Sequence, residues 1–132
     1  YPLRRQRQMC IRDSTWRDVY THSSIADLTW YICVGNHDHG DDDGREWYQV
    51  EHSKIEPRWY FPNLSYSFEM YAGSSKVKFV SIDTQSLRHD KNNPDDMLSF
   101  LAHELDDHAD WKIVFGHHPH DIQYKLYTTY LL

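Results

Sequence analysis

Apolar residues gather along this chain in short blocks separated by polar and charged turns. The densest block, Trp30-Tyr31-Ile32-Cys33-Val34, runs straight into Gly35. So short and so apolar a run predicts a buried strand over 29–34. Trp111-Lys112-Ile113-Val114-Phe115 predicts a second buried strand, and it too ends in a glycine, Gly116. Between these blocks the period changes. Leu64, Tyr66, Phe68 and Met70 alternate with Ser65, Ser67 and Glu69, the pattern of a half-buried strand. Val77 to Asp83 predicts another strand. With Gly73-Ser74-Ser75 as the turn, the two read as an antiparallel hairpin.

Helical signals fill the gaps. Trp16, Val19 and Tyr20 share a face at i, i+3, i+4, so a short helix capped by Ser14 is expected to pack on a sheet. A second short helix is expected at 45–54, with Trp47 and Val50 inward. The clearest helix opens at Asn92-Asn93-Pro94. Asn93 is the expected cap, Pro94 suits the first turn, and Asp95 and Asp96 favour its positive end. Met97, Phe100, Leu101 and Leu105 form its apolar stripe, and His103 and His108 fall on its surface. Asp106 and Asp107 sit near the negative end, a small electrostatic cost with no evident compensation. Strand, helix and strand in this order predict a βαβ crossover and a largely parallel region beside the hairpin. The fold class is therefore α/β with a mixed sheet and flanking helices.

Composition narrows the classes. At 132 residues the chain is one domain at most. A net charge of −6 argues against a nucleic-acid partner, which would call for a basic face. No apolar stretch approaches the ~20 residues of a membrane span, and no stretch has the make-up of a secretory signal peptide. Residues 1–14 are basic in an acidic chain and show no strand or helix period. They resemble translated adapter read-through and are expected to be a non-native or disordered leader packing on nothing. The alternative is a basic nucleic-acid or targeting arm. Residues 15–132 form the domain proper. Cys33 is expected to behave as a small apolar residue, and no disulfide with Cys10 is expected. Asn63-Leu64-Ser65 is an N-glycosylation sequon, which fits a secreted or lysosomal parent.

The chemistry concentrates where the first strand ends, at Gly35-Asn36-His37-Asp38-His39. Open α/β sheets place ligands at the carboxyl ends of their strands. Gly35 is expected to let the backbone turn sharply there. Asp41-Asp42-Asp43-Gly44 follows and invites a calcium-loop reading, but the register puts Val50 where a carboxylate is needed. A solvated acidic loop at the rim of the cleft is the better reading. Arg58-Trp59-Tyr60-Phe61-Pro62 allows a base-stacking platform or a packed aromatic loop, and the acidic balance favours the loop.

Gly-Asn-His-Asp after a buried strand resembles the third motif of the calcineurin-like metallophosphoesterases. Trp30-Tyr31, His39, Arg58-Trp59-Tyr60-Phe61-Pro62, Ile82-Asp83-Thr84 and Gly116-His117-His118-Pro119 make the likeness closest to the purple, tartrate-resistant acid phosphatases, over roughly residues 15 to 120. The resemblance implies a partial metallophosphoesterase β-sandwich. It implies hydrolysis of phosphate monoesters by in-line attack of a metal-activated hydroxide at a dinuclear site, iron paired with iron, zinc or manganese. In that reading Asn36 and His117 bind one ion, facing each other across the crest of a sheet. His37 faces the substrate, stabilising phosphoryl charge or protonating the leaving group, and Asp38 orients or charge-stabilises a neighbouring histidine. His39, His118 and His120 are weaker, substrate-side or simply exposed. The family's upstream aspartate motifs and its final Gly-His-x-His are not in these residues, and 121–132 match it poorly. The chain is therefore expected to be an internal fragment, inactive alone, of an acid phosphatase-like enzyme. The alternatives are a non-catalytic metallophosphoesterase-like binding domain and a phosphodiesterase of the same superfamily.

Overall fold

The computed structural model describes residues 13–40, 44–89 and 91–118. A π-helical turn at Asp13–Arg17 comes first. It is followed by β1 (Trp30–Tyr31), α1 (Asn36–His39), α2 (Trp47–Ser53), β2 (Trp59–Tyr60), β3 (Tyr66–Ala72), β4 (Ser75–Ser81), α3 (Thr84–His89), α4 (Pro94–Asp106) and β5 (Trp111–Phe115). β1 and β2 make a short parallel pair. β3, β4 and β5 make a second sheet in that order, antiparallel across the hairpin and parallel between β4 and β5. The α/β class, the hairpin and the crossover follow the hydrophobic pattern. In the hairpin Ala72 pairs with Ser75, so Gly73 and Ser74 alone close it. Gly73, at φ +65°, takes the positive-φ position such a turn needs.

The strand expected over 29–34 is shorter, and it does not share a sheet with β5. Only Trp30 and Tyr31 pair with another strand, and that strand is β2. The two sheets are joined by side chains instead. The buried core of Val34, Val50, Phe61, Leu64 and Tyr66 packs against Tyr31, Ile32, Trp59, Phe68 and Phe115. Phe61 and Val34 have no accessible surface. The Tyr66 hydroxyl donates to the Ile32 carbonyl at 2.9 Å, tying β3 to the chain beyond β1. Burial pushes that phenol's pKa up. The Arg58–Pro62 stretch is packed: Trp59 meets Trp16 edge-on at 5.0 Å, and the Arg58 guanidinium lies 4.8 Å above the Trp16 ring.

Several faces differ from expectation. Of the first helical stripe only Trp16 is buried, while Val19 is 58% exposed. The helical segment ends at Arg17, and Val19 and Tyr20 fall in the turn that follows, so no continuous helix presents the three on one face. Ser14's side chain lies outside what is described. In α2 Val50 points inward, but Trp47 is 41% exposed. β5 is not buried on both faces: it is the last strand of the described sheet, and Trp111 is 66% exposed. α3 carries no apolar stripe of its own, and the sequence pattern did not announce it.

α4 spans the expected residues, with Met97 buried, but Leu105 of the expected stripe is exposed. Asn93 sits at its start in the left-handed conformation, φ 53°, and its side chain does not accept from the helix backbone. Its amide donates to the Asp96 carboxylate at 2.5 Å instead. The carboxylate at the other end finds its compensation across the crossover. Lys78 of β4 reaches Asp107 at 2.7 Å and Glu104 at 2.7 Å. The leader before residue 13, the acidic loop 41–43 and residues 119–132 lie outside the described residues.

Candidate functional site

Gly35-Asn36-His37-Asp38-His39 folds as an extended residue followed by one helical turn, α1. Gly35 has φ −111° and ψ 172°, a conformation open to any residue, so backbone freedom is not why a glycine stands there. Room is the reason. A Cβ on Gly35 would lie 3.1 Å from Nδ1 of His117, whose ring rests against the glycine. Asp38 closes the turn on itself. One carboxylate oxygen accepts the Gly35 N–H at 2.9 Å, and the other accepts the Gln49 amide. The expectation that Asp38 orients a histidine gives way to this: its two oxygens hold the motif's own backbone and α2.

Asn36 and His37 are exposed at the front of the turn. Asn36 Oδ1 accepts from His117 Nε2 at 3.0 Å, joining residues 81 apart in sequence. Two turns, one after Val34 and one after Phe115, thus bring an amide oxygen and an imidazole nitrogen to one point. Gly116 makes the second approach possible, since a Cβ there would come within 2.6 Å of Thr84 Cγ2 and 3.0 Å of the Ile82 carbonyl.

Behind this exposed pair lies a buried polar layer. His39 is not open to substrate. It is 4% exposed, and its Nε2 meets Asp83 Oδ1 at 3.0 Å. Asp83, itself 2% exposed, also accepts the Ser86 hydroxyl at 2.6 Å and the backbone N–H groups of Gln85 and Ser86. Glu46 lies 3.9 Å from His39 Nδ1 and accepts the Asn92 amide at 3.2 Å. His118 is half-buried. Its Nδ1 lies 2.9 Å from Thr84 Oγ1, and its backbone N–H donates to the same hydroxyl at 3.1 Å. Burial first, and then the neighbouring His117, Arg88 and His89, hold the His118 imidazole below its ordinary pKa.

The structure therefore brings Asn36 and His117 together, leaves His37 open beside them, and withdraws His39 and His118 into supporting positions. His120 lies outside the described residues. Sequence reasoning gave no role to Asp83, Thr84, Glu46 or Ser86. The available signal was a carboxylate, Asp83, placed where an apolar strand ends in a fold that gathers its strand ends. Two neutral donors at 3.0 Å have the spacing that two ligands of one metal ion take, about 3–4 Å. Among the described residues, no three or more His, Cys, Asp or Glu side chains gather as a metal shell. The pair fits part of an ion's coordination and not a dinuclear site.

Comparison with known proteins bears on the same residues. The family model for calcineurin-like phosphoesterases matches residues 10–130. Tartrate-resistant acid phosphatase type 5 of Oryctolagus cuniculus is 30% identical over 122 residues, covering 80% of this chain and 37% of that protein. The protein of the same name from Homo sapiens is 36% identical over 87 residues, covering 64% of this chain and 25% of its own length. The chain thus spans roughly a quarter to two-fifths of these relatives. With strand ends that gather Asn36 and His117, and a family match over nearly its whole length, the chain belongs to the calcineurin-like phosphoesterase family.

Proposed function

We propose that this chain carries part of the site of a metal-dependent phosphatase acting on phosphate monoesters. The supporting observation is the meeting of Asn36 Oδ1 and His117 Nε2 at 3.0 Å, at the ends of two separate strand-to-turn segments. The names of the relatives, acid phosphatases, favour a monoester over a diester.

In this reading Asn36 and His117 hold one ion between them. A neutral amide oxygen and a neutral imidazole leave the ion's charge little compensated. A bound ion supplies Lewis acidity toward phosphoryl oxygen and lowers the pKa of water. The metals we assign are iron with iron, zinc or manganese. His37, exposed next to Asn36, donates a hydrogen bond to phosphoryl oxygen or a proton to the departing alkoxide. Asp38 keeps α1 closed, so the two donors in front of it keep their place. The sequon at Asn63 supports a secreted or lysosomal setting. No helix among the described residues is long and apolar enough to cross a membrane.

The 132-residue chain should be a poor phosphatase alone, because two ligands do not assemble a dinuclear site. Assayed with an aryl phosphate under iron, zinc or manganese, it should stay near background. Strong metal-dependent turnover abolished by His37→Ala would overturn the incompleteness while supporting the family chemistry. A second reading, a non-catalytic binding domain of the same family, draws on the missing metal shell among the described residues. Intact aspartate motifs in a longer transcript would reject it.

A further inference from the structure

We propose that two adjacent residues, Asp83 and Thr84, are positioning residues that fix the spacing of the Asn36 and His117 turns. The inference rests on the reading of that pair as ligands of one ion. Both residues lie where β4 passes into α3, and each grips a different turn. Asp83 takes His39 at 3.0 Å, the residue that ends the α1 turn carrying Asn36 and His37. Thr84 takes His118 twice, through its imidazole at 2.9 Å and its backbone N–H at 3.1 Å, and His118 follows His117 directly.

The grips are buried while what they hold is exposed. Asp83, Thr84 and His39 are buried, whereas Asn36, His37 and His117 stand open. Asp83 is itself fixed. It accepts the Ser86 hydroxyl and the first N–H groups of α3, so its carboxylate cannot swing without unravelling that helix. The Asn92 amide bonds both Ser86 and Glu46, and Glu46 faces His39 from the other side. Gly116 and Thr84 are already at the limit of approach, since no Cβ fits between them. The two turns come from different sheets, with no shared strand pairing to set their distance. The Asp83-Thr84 step supplies that distance, with one residue for each turn. Losing a group hydrogen-bonded to a metal ligand commonly lowers metal affinity about 10–100-fold. Asp83 and Thr84 act one residue further back, through His39 and His118, so the lower end of that range is expected.

Two variants remove one grip each. His39→Phe keeps a ring and loses the nitrogen that Asp83 holds. Thr84→Val keeps the shape and loses the hydroxyl. Thr84→Ser is the conservative control. The first measurement needs no metal: side-chain nuclear Overhauser contacts between Asn36 and the His117 ring, in folded protein with an otherwise unchanged spectrum. They should be present in the wild type and in Thr84→Ser, and lost in Thr84→Val and His39→Phe. Contacts that persist in folded Thr84→Val and folded His39→Phe overturn the proposal. If His39→Phe does not fold, the Thr84→Val and Thr84→Ser pair decides it. The second measurement is Co²⁺ affinity by titration. It should fall about tenfold in Thr84→Val and recover in Thr84→Ser. If instead Co²⁺ binding to the wild-type chain is indifferent to Asn36→Ala and His117→Ala, the metal reading fails, and the positional claim is judged on the first measurement alone.

Discussion

Gly35 lies flat against the His117 ring: a Cβ there would be 3.1 Å from Nδ1 and 3.2 Å from Cε1. The other glycine at the site, Gly116, faces a fixed wall of Thr84 Cγ2 and the Ile82 carbonyl. The two alanine variants should therefore behave differently. In Gly35→Ala the exposed ring can give way by a few tenths of an ångström, so stability should change by less than about 1 kcal/mol. In Gly116→Ala the wall includes backbone, and overpacking of that kind costs about 1–3 kcal/mol. Urea unfolding of the two variants checks the order. Equal losses would show that the wall yields.

His37 and His117 should separate by function. His117→Ala removes a proposed ligand and should lower Co²⁺ affinity by at least about tenfold, from the loss of one of two donors. His37→Ala should leave that affinity within about twofold, because the exposed ring is assigned to the phosphoryl group. Titration calorimetry on both variants measures this directly. Equal metal loss in the two would reject the division.

Lys78 predicts a pH dependence. Burial opposes its charge, but the hydrogen bonds it donates to Asp107 and Glu104 outweigh burial and raise its pKa. The Lys78 ammonium, with the His108 N–H, draws Asp107 down to about 2 from its ordinary 3.8. Glu104 is disfavoured as a charge by burial, yet Lys78 brings it down as well. A carboxylate depressed in the folded state contributes stability above its unfolded pKa and loses it as pH falls through the folded one. The stabilisation is thus complete by about pH 5, mostly lost by about pH 2 and gone by about pH 1. Lys78→Met should lower the melting temperature at about pH 5, and the gap from wild type should narrow on going to about pH 2.5. A gap that does not change with pH would mean that packing of the lysine stem, not its charge, is what the variant removes.

Phe61 is fully buried at the centre of the core that joins the two sheets. Phe61→Ala should cost about 3–5 kcal/mol, a large fraction of the roughly 5–15 kcal/mol that holds a domain folded. Circular dichroism melts check it. A loss below about 1 kcal/mol would mean that the core collapses around the gap.

The parts of the fold that follow local rules were legible. The hairpin was written in alternation and a glycine turn, and α4 in a proline start and an apolar stripe. The meeting of Asn36 with His117 was implied by the resemblance; the two apolar runs ending in glycine suggested one shared sheet crest, and the runs fall in different sheets instead. What depends on tertiary partners was hidden. Nothing local to Trp111, Ile113 or Val114 says that the strand's faces stay open. His39 reads like its exposed neighbour His37, and only Asp83, 44 residues on, makes it a buried support. Nothing local to Lys78 says that it answers the charge of Asp107 at the end of α4.

The way β5 joins its sheet has a kinetic consequence. β3 and β4 pair through a tight turn, Ala72 against Ser75, so their contacts cost little loop entropy. β5 must wait for a crossover through two helices before Val77 can meet Trp111. Its docking is what carries His117 to Asn36. The site is thus completed by the strand pairing that is most distant in sequence among the described residues. In native-state hydrogen exchange the amides of β5 should open before those of the hairpin, and the meeting of Asn36 with His117 should come and go with that opening while the hairpin remains closed.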